Sequence, residues 1–263
     1  MFAMTRNQTF FAALGGLAIV GAAVIAWPQT TPAKARPDAG APVIAASGEP
    51  ALLELFTSQG CSSCPPADAL AEKLAQSPDL VVIARPVTYW DRLGWKDTLA
   101  REGNTALQQD YARRGLEGRN GVYTPQLVVA GTFGAVGSRA GDIAVGVERH
   151  GGRGGAVIRV TAGEGGGYVA DLSGACARGG AAELVLVAVT RRAEVGIGSG
   201  ENGGRKVAYA NVLRAERKIA DWRGGAARIA IAPELLKAPG ADRYALILRI
   251  PGGGKVLAAR WLA

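Results

Sequence analysis

The sequence predicts two folded parts: a mixed α/β domain over residues 51–150 with elements in the order βαβαββα, and an all-β, sandwich-like domain over residues 151–263. Three observations carry this expectation. Between Ala51 and His150, short apolar runs suited to buried strands alternate with stretches of helical spacing. From Gly151 onward glycines cluster, aromatics thin out and about seven short alternating runs are separated by turn signals. The first apolar run, Leu52-Leu53-Glu54-Leu55-Phe56, delivers Cys61-Ser62-Ser63-Cys64 to the point where the first helix should begin.

Taken in order, residues 1–27 contain an apolar stretch, Phe10 to Trp27, long enough to cross a bilayer at about 1.5 Å per residue. It reads as a signal peptide or an uncleaved membrane anchor, and its length favours the anchor. Either way the rest of the chain is expected to be periplasmic or secreted, where disulfides persist. Residues 28–50, rich in Pro, Ala, Thr and Gly, read as a flexible linker.

Ala51 to Thr57 reads as a strand buried on both faces. Pro66 to Gln76 places Ala67, Leu70, Ala71 and Leu74 on one helix face. Because positions before proline disfavour α geometry, this helix is expected to start slightly after the motif. Leu80 to Val87 is a second strand, and the aromatic loop Tyr89-Trp90-Asp91-Arg92-Leu93-Gly94-Trp95 follows. Asp97 should cap a helix running to Arg114. A turn at Asn120 leads into a strand ending at Val129, with Thr132 to Val136 as its partner and Arg139 to His150 as the last helix. The later strands are expected at 156–162, 168–173, 184–191, 206–214, 227–232, 244–250 and 256–262, with the glycine-rich 196–205 stretch as a hairpin or interdomain loop.

A Cys-x-x-Cys pair at a helix start suits redox chemistry. The positive end of the helix dipole favours thiolate, and the short spacer lets Cys64 resolve a mixed disulfide formed at Cys61. Other readings stay open: a structural disulfide without turnover, or a copper(I) site with a third soft ligand. Tetrahedral zinc lacks ligands, since only Cys176 and His150 remain, and three cysteines cannot hold a four-thiolate cluster. His150 is the only histidine, so a Ser-His-Asp hydrolase or a multi-histidine metal enzyme has almost no material to work with. The formal charge of +8 comes from scattered residues without basic runs, so no nucleic-acid partner is expected. Cys176 is expected as a buried free thiol and His150 as a helix-end residue.

The element order, with Cys61-x-x-Cys64 after the first strand and Thr124-Pro125 before the third, resembles the thioredoxin fold. That resemblance implies a cis Pro125 packed by the disulfide, with Thr124 offering backbone groups to an extended substrate. The segments from Glu54 to Asp68, Tyr89 to Asp97, Tyr123 to Gln126 and Gly200 to Arg205, with Asn211-Val212, resemble the bacterial secreted family called domain of unknown function 1223. The chain departs from that family's pattern at Arg85-Pro86-Val87-Thr88, where a histidine-containing segment is replaced, which removes material for a copper or acid–base role.

The function implied is an exported thiol–disulfide oxidoreductase with Cys61 and Cys64 catalytic and no cofactor or metal, acting on protein thiols or disulfides of the cell envelope. The alternatives are a non-catalytic envelope scaffold and a copper(I)-handling protein. Trp90 and Trp95 are candidates for a substrate-binding rim, against filling the core. Glu54 is a candidate for proton transfer, against a partnered carboxylate paired with Arg85 or Lys96.

Overall fold

The computed structural model describes residues 48–176 and 180–262. The signal or anchor expected over residues 1–27, including residues 10–27, and the linker as far as residue 47 lie outside the described residues. No helix among the described residues is long and apolar enough to cross a membrane.

The first half follows the expected order with one addition. Strand β1 (Ala51–Thr57) leads to α1 (Pro65–Leu74), β2 (Leu80–Pro86) and α2 (Glu102–Arg114). A two-residue β3 (Glu117–Gly118) precedes β4 (Gln126–Val129), β5 (Phe133–Val136) and α3 (Ala140–His150). β1 is parallel to β2 and antiparallel to β4, and β4 is antiparallel to β5. Every residue of β1 and β2 is buried because the sheet is covered on both sides. Leu53 and Leu55 pack with Ala67, Ala71 and Ile143 of α1 and α3, whereas Phe56 packs with Leu107 and Tyr111 of α2.

The second half contributes β6 (Ala156–Ala162), β7 (Tyr168–Gly174), β8 (Ala182–Gly196) and β9 (Lys206–Trp222). Then come β10 (Ala227–Ile231), β11 (Arg243–Arg249) and β12 (Val256–Trp261). The seven expected strands are present, but they do not form a sandwich of their own. Four of them extend the first-half sheet into one nine-stranded mixed sheet, ordered β12-β11-β8-β9-β2-β1-β4-β5-β3. The other three form an antiparallel sheet, β10-β7-β6. Two layers do face each other at that end, Ile158 and Leu172 against Leu184, Leu246 and Leu248, but one of them belongs to the main sheet.

The reason is the composition of β8 and β11. Val185, Val187, Val189, Ala245 and Ile247 share a core with Leu53, Val82 and Ile83, so the second-half strands bury one face against first-half apolar groups. One cooperative transition is therefore expected. Ile247→Val, a conservative change at a fully buried position, should lower stability by about 0.5–1.5 kcal/mol. In urea unfolding, tryptophan fluorescence and far-UV circular dichroism should shift together; two separate transitions, only one of them moved, would contradict a shared core.

β8 and β9 are longer than expected. Thr190 to Gly196 carries Arg191, Arg192 and Glu194, which hide the strand signal. In the structure this segment is an arm paired from Arg192↔Ala210 to Gly196↔Lys206, with Ala193 and Val195 turned toward Val207 and Tyr209 and the charges outward.

Candidate functional site

β1 ends at Thr57 and the chain turns through Ser58 to Ser63 into α1. The turn is held by Gly60 N donating to Ser58 Oγ at 3.1 Å and Cys61 N to Ser58 O at 3.2 Å. Cys64 N donates to Cys61 O at 3.1 Å, and the two sulfurs form a disulfide with Cα atoms 5.4 Å apart. Cys64 caps α1 in αR geometry (φ −78°, ψ −37°) although Pro65 follows it, so the helix starts directly after the motif, not later as expected. The prolines at the first two helical positions have no N–H to offer, and Ala67 N and Asp68 N both donate to Cys64 O. The first turn thus keeps its dipole but presents no unpaired N–H to Cys61.

Three loops close around this turn. Asp97 does not cap a helix, because α2 begins five residues later, at Glu102. Its Oδ2 instead accepts Gln59 N at 2.8 Å and its Oδ1 accepts Leu99 N at 2.8 Å, and burial raises its pKa. Trp95 Nε1 donates to Gln59 Oε1 at 2.8 Å, and Trp90 Nε1 donates to Thr124 Oγ1 at 2.8 Å. Both indoles are half-buried; each bridges loops with its N–H and packs its ring against a hydrophobic cluster, Trp90 on that of Phe56 and Tyr111, Trp95 on that of Leu99 and Tyr209. The Thr124–Pro125 bond is cis. A Cβ on Gly137 would lie 3.2 Å from Pro125 Cβ and 3.1 Å from Ala67 Cβ, so a glycine is what lets the proline loop seat against α1 just beyond Cys64. Trp95 thus touches the cysteine turn at Gln59 and Trp90 lies beside it at Gly60, with Thr124 bonded to Trp90 and Pro125 approaching α1 through Gly137.

Neither sulfur is open to solvent: Cys61 and Cys64 are each 0% exposed. The turn joining β8 to β9, which reads in sequence as a simple hairpin or interdomain loop, lies against the cysteine turn. Asn202 Nδ2 donates to Gln59 O at 2.9 Å and to Cys61 O at 2.8 Å, and Ser62 N donates to Glu201 Oε2 at 3.1 Å.

Glu54 is not the acid beside the disulfide. It lies on the β1 face opposite α1, accepting Arg85 Nε at 2.6 Å and Tyr111 Oη at 2.5 Å. Besides Asp97, a second buried acid follows the cysteines in α1: Asp68, one helical turn after Cys64 and 1% exposed. Its Oδ1 accepts Thr57 Oγ1 at 2.8 Å, while its Oδ2 is buried without a partner. Burial pushes its pKa up to about 8, with the Asp97 charge adding to the rise and the Thr57 hydrogen bond opposing it.

The other candidates lie elsewhere. His150 ends α3, stacks on Phe133 and meets Glu117 at 3.0 Å. Cys176 is free and half-buried, less enclosed than expected. Among the described residues no group of three or more His, Cys, Asp or Glu side chains is placed to hold a metal.

The family described as "Protein of unknown function (DUF1223)" matches residues 52–249. The chain belongs to this family. A protein of Agrobacterium tumefaciens, solved by X-ray crystallography, is similar to this DUF1223 chain at 28% identity and TM-score 0.68, covering 83% of this chain and 96% of that one. HBP35 of Porphyromonas gingivalis is similar in fold alone, at 12% identity and TM-score 0.52, covering 83% of this chain and 76% of that one. No curated protein matches.

Sequence reasoning missed three residues of this DUF1223 site: Asp68, Asn202 and Glu201. Each lies within a segment that carries the family resemblance. Asp68 also falls four residues after Cys64, a helical spacing that turns it to the buried side of α1. Asn202 and Glu201 sit more than 130 residues downstream of the cysteine turn, and no local pattern announces a contact at that range.

Proposed function

We propose that residues 51–150 are a thioredoxin-like module of an exported protein and that Cys61 and Cys64 form a reversible dithiol–disulfide couple for protein thiols of the cell envelope. The observation that carries this reading is the meeting of a Cys-x-x-Cys disulfide at the start of α1 with a cis Thr124–Pro125 loop tied to Trp90. The strand order β2-β1-β4-β5 with helices on both faces supports it.

In the oxidising direction, a substrate thiolate attacks Cys61 Sγ, the disulfide breaks and Cys64 leaves as a thiolate. A second substrate thiolate then attacks the substrate sulfur of the mixed disulfide and displaces Cys61. The substrate gains a disulfide, and the two protons of its thiols end on Cys61 and Cys64. Thr124 and Trp90 line the approach. Reduction of a substrate is the same sequence reversed.

The full chain equilibrated in glutathione redox buffers and trapped with a maleimide should show the pair titrating as one two-electron couple. It should also accelerate the refolding of a scrambled disulfide protein, and the Cys61→Ser, Cys64→Ser double variant should lose that activity. A pair that exchanges with no thiol under native conditions would sink this reading.

A second reading, a structural disulfide in an envelope scaffold, is favoured by the complete burial of both sulfurs. It expects the double variant to fold less stably and the wild type to show no exchange.

A further inference from the structure

The arm formed by β8 and β9 runs past the point where the main sheet needs it. Its tip is a tight turn, with Ile197 N donating to Arg205 O at 2.9 Å and Gly204 N to Ile197 O at 2.8 Å. Gly200 and Gly204 both have φ +78°, backbone that side-chain-bearing residues rarely adopt. The base of the tip is anchored by Ile197, buried with Leu99, Val207 and Tyr209, while the turn beyond it is fastened to the body by polar contacts to main-chain atoms. Asn202 spans the carbonyls of Gln59 and Cys61, Glu201 takes the N–H of Ser62, and Ser199 Oγ donates to Gly94 O at 2.9 Å. Arg205 Nη1 donates to Asn202 Oδ1 at 3.2 Å and so fixes which side of the amide faces the cysteine turn. Beneath the tip lies Trp95, against which a Cβ at position 198 would come to 2.9 Å.

These contacts have a chemistry in common with a polypeptide backbone. The tip offers N–H donors to two carbonyls and an oxygen acceptor to one N–H, all on the turn that carries Cys61. Water can replace each of these bonds when the tip lifts, so opening loses few net hydrogen bonds.

We propose that the turn from Gly198 to Arg205 is a removable cover that occupies the backbone groups beside Cys61, so that disulfide exchange proceeds only from a state with the tip lifted. The inference rests on the redox reading for its purpose, but its test does not. An extended polypeptide that supplies its own N–H and C=O groups to Gln59, Cys61 and Ser62 competes with the tip directly. A small thiol has no such purchase and waits for spontaneous opening. The cover therefore favours polypeptide thiols over small ones.

The test is the rate at which dithiothreitol reduces Cys61–Cys64 in the folded full chain, followed by maleimide trapping over a range of dithiothreitol concentrations. For the wild type the rate should level off at high dithiothreitol, where opening becomes limiting. Asn202→Ala, which removes two bonds to the cysteine turn, should reduce faster by about ten- to thirtyfold. Glu201→Ala, at an exposed position, should accelerate reduction by about fivefold and serves if the Asn202 variant does not fold.

Equal rates in wild type and variants, rising in proportion to dithiothreitol throughout, would overturn the cover. Faster reduction in the variants with no exchange of either protein with a reduced polypeptide substrate would uphold the cover and overturn the redox reading. Exchange with polypeptide thiols by a wild type whose reduction the variants do not quicken would do the reverse.

Discussion

Replacing Arg85 with methionine is expected to destabilise the protein by about 3–5 kcal/mol, because it removes one partner of a buried ionic network. Arg85 is 1% exposed and uses its three nitrogens on three elements: Nε to Glu54 at 2.6 Å, Nη1 to Asn104 at 3.2 Å and Nη2 to Glu216 at 2.8 Å. Glu216 also accepts Arg249 Nη2 at 2.6 Å, and Arg249 Nε donates to Glu183 at 2.8 Å. Burial works against the charge on both Arg85 and Glu216. The opposite charges win: Arg85 is held above its ordinary pKa by Glu216 and Glu54, and Glu216 is pulled down to about 2 by Arg85 and Arg249. Methionine fills the space but leaves Glu54, 0% exposed, with only the Tyr111 hydroxyl. The Arg85→Met, Glu54→Gln double variant should recover part of the loss, since it buries no unpaired charge. Urea denaturation reads both values; a loss below about 1 kcal/mol for the single change would show that the network holds little.

The second large effect is in pH. Asp68 has a folded-state pKa of about 8, raised chiefly by burial, whereas an unfolded chain ionises it near pH 4. Between those values the folded protein holds a proton that the unfolded chain has lost, so this residue makes stability fall as pH rises from about 4 to about 8 and stay level above. At about 1.4 kcal/mol per pH unit the accumulated effect is on the order of several kcal/mol. Thr57, Asp97 and Tyr209 are the polar groups acting on it; the Asp97 charge adds to the effect and the Thr57 hydroxyl reduces it. Asp68→Asn keeps the Oδ1 that accepts from Thr57 and carries no ionisable proton. Its stability should match the wild type near pH 4 and exceed it by several kcal/mol near pH 8, measured by urea unfolding across that range. Parallel stability curves for the two proteins would show that Asp68 is ionised in the folded state.

Local pattern made much of the first half legible. The run Leu52 to Phe56, the spacing of Ala67, Leu70, Ala71 and Leu74, and the apolar run from Leu80 each encode burial through neighbours a few residues away, and their elements lie within two residues of expectation. The start of α2 was misread because Asp97 resembles a helix cap, while its carboxylate is taken by Gln59 N from another loop. The joining of second-half strands to the first-half sheet was hidden for a related reason. Alternation in β8 and β11 announces strands, but not which sheet they join, and that choice is made by the apolar faces of β1 and β2. At the site, the cysteines, the proline and the tryptophans could be picked out one by one. The contact of Asn202 with the carbonyls of Gln59 and Cys61 could not, because it reaches across the fold.

The amide that closes over Cys61 lies 141 residues further along the chain. Synthesis proceeds from the amino end, so both sulfurs exist in an unfinished chain long before the turn that will hide them. Oxidation of the pair can therefore come before closure, and an oxidising catalyst met early never has to enter the finished structure. The order in which the polypeptide is made thus gives the first oxidation of the pair a route that needs no opening of the tip.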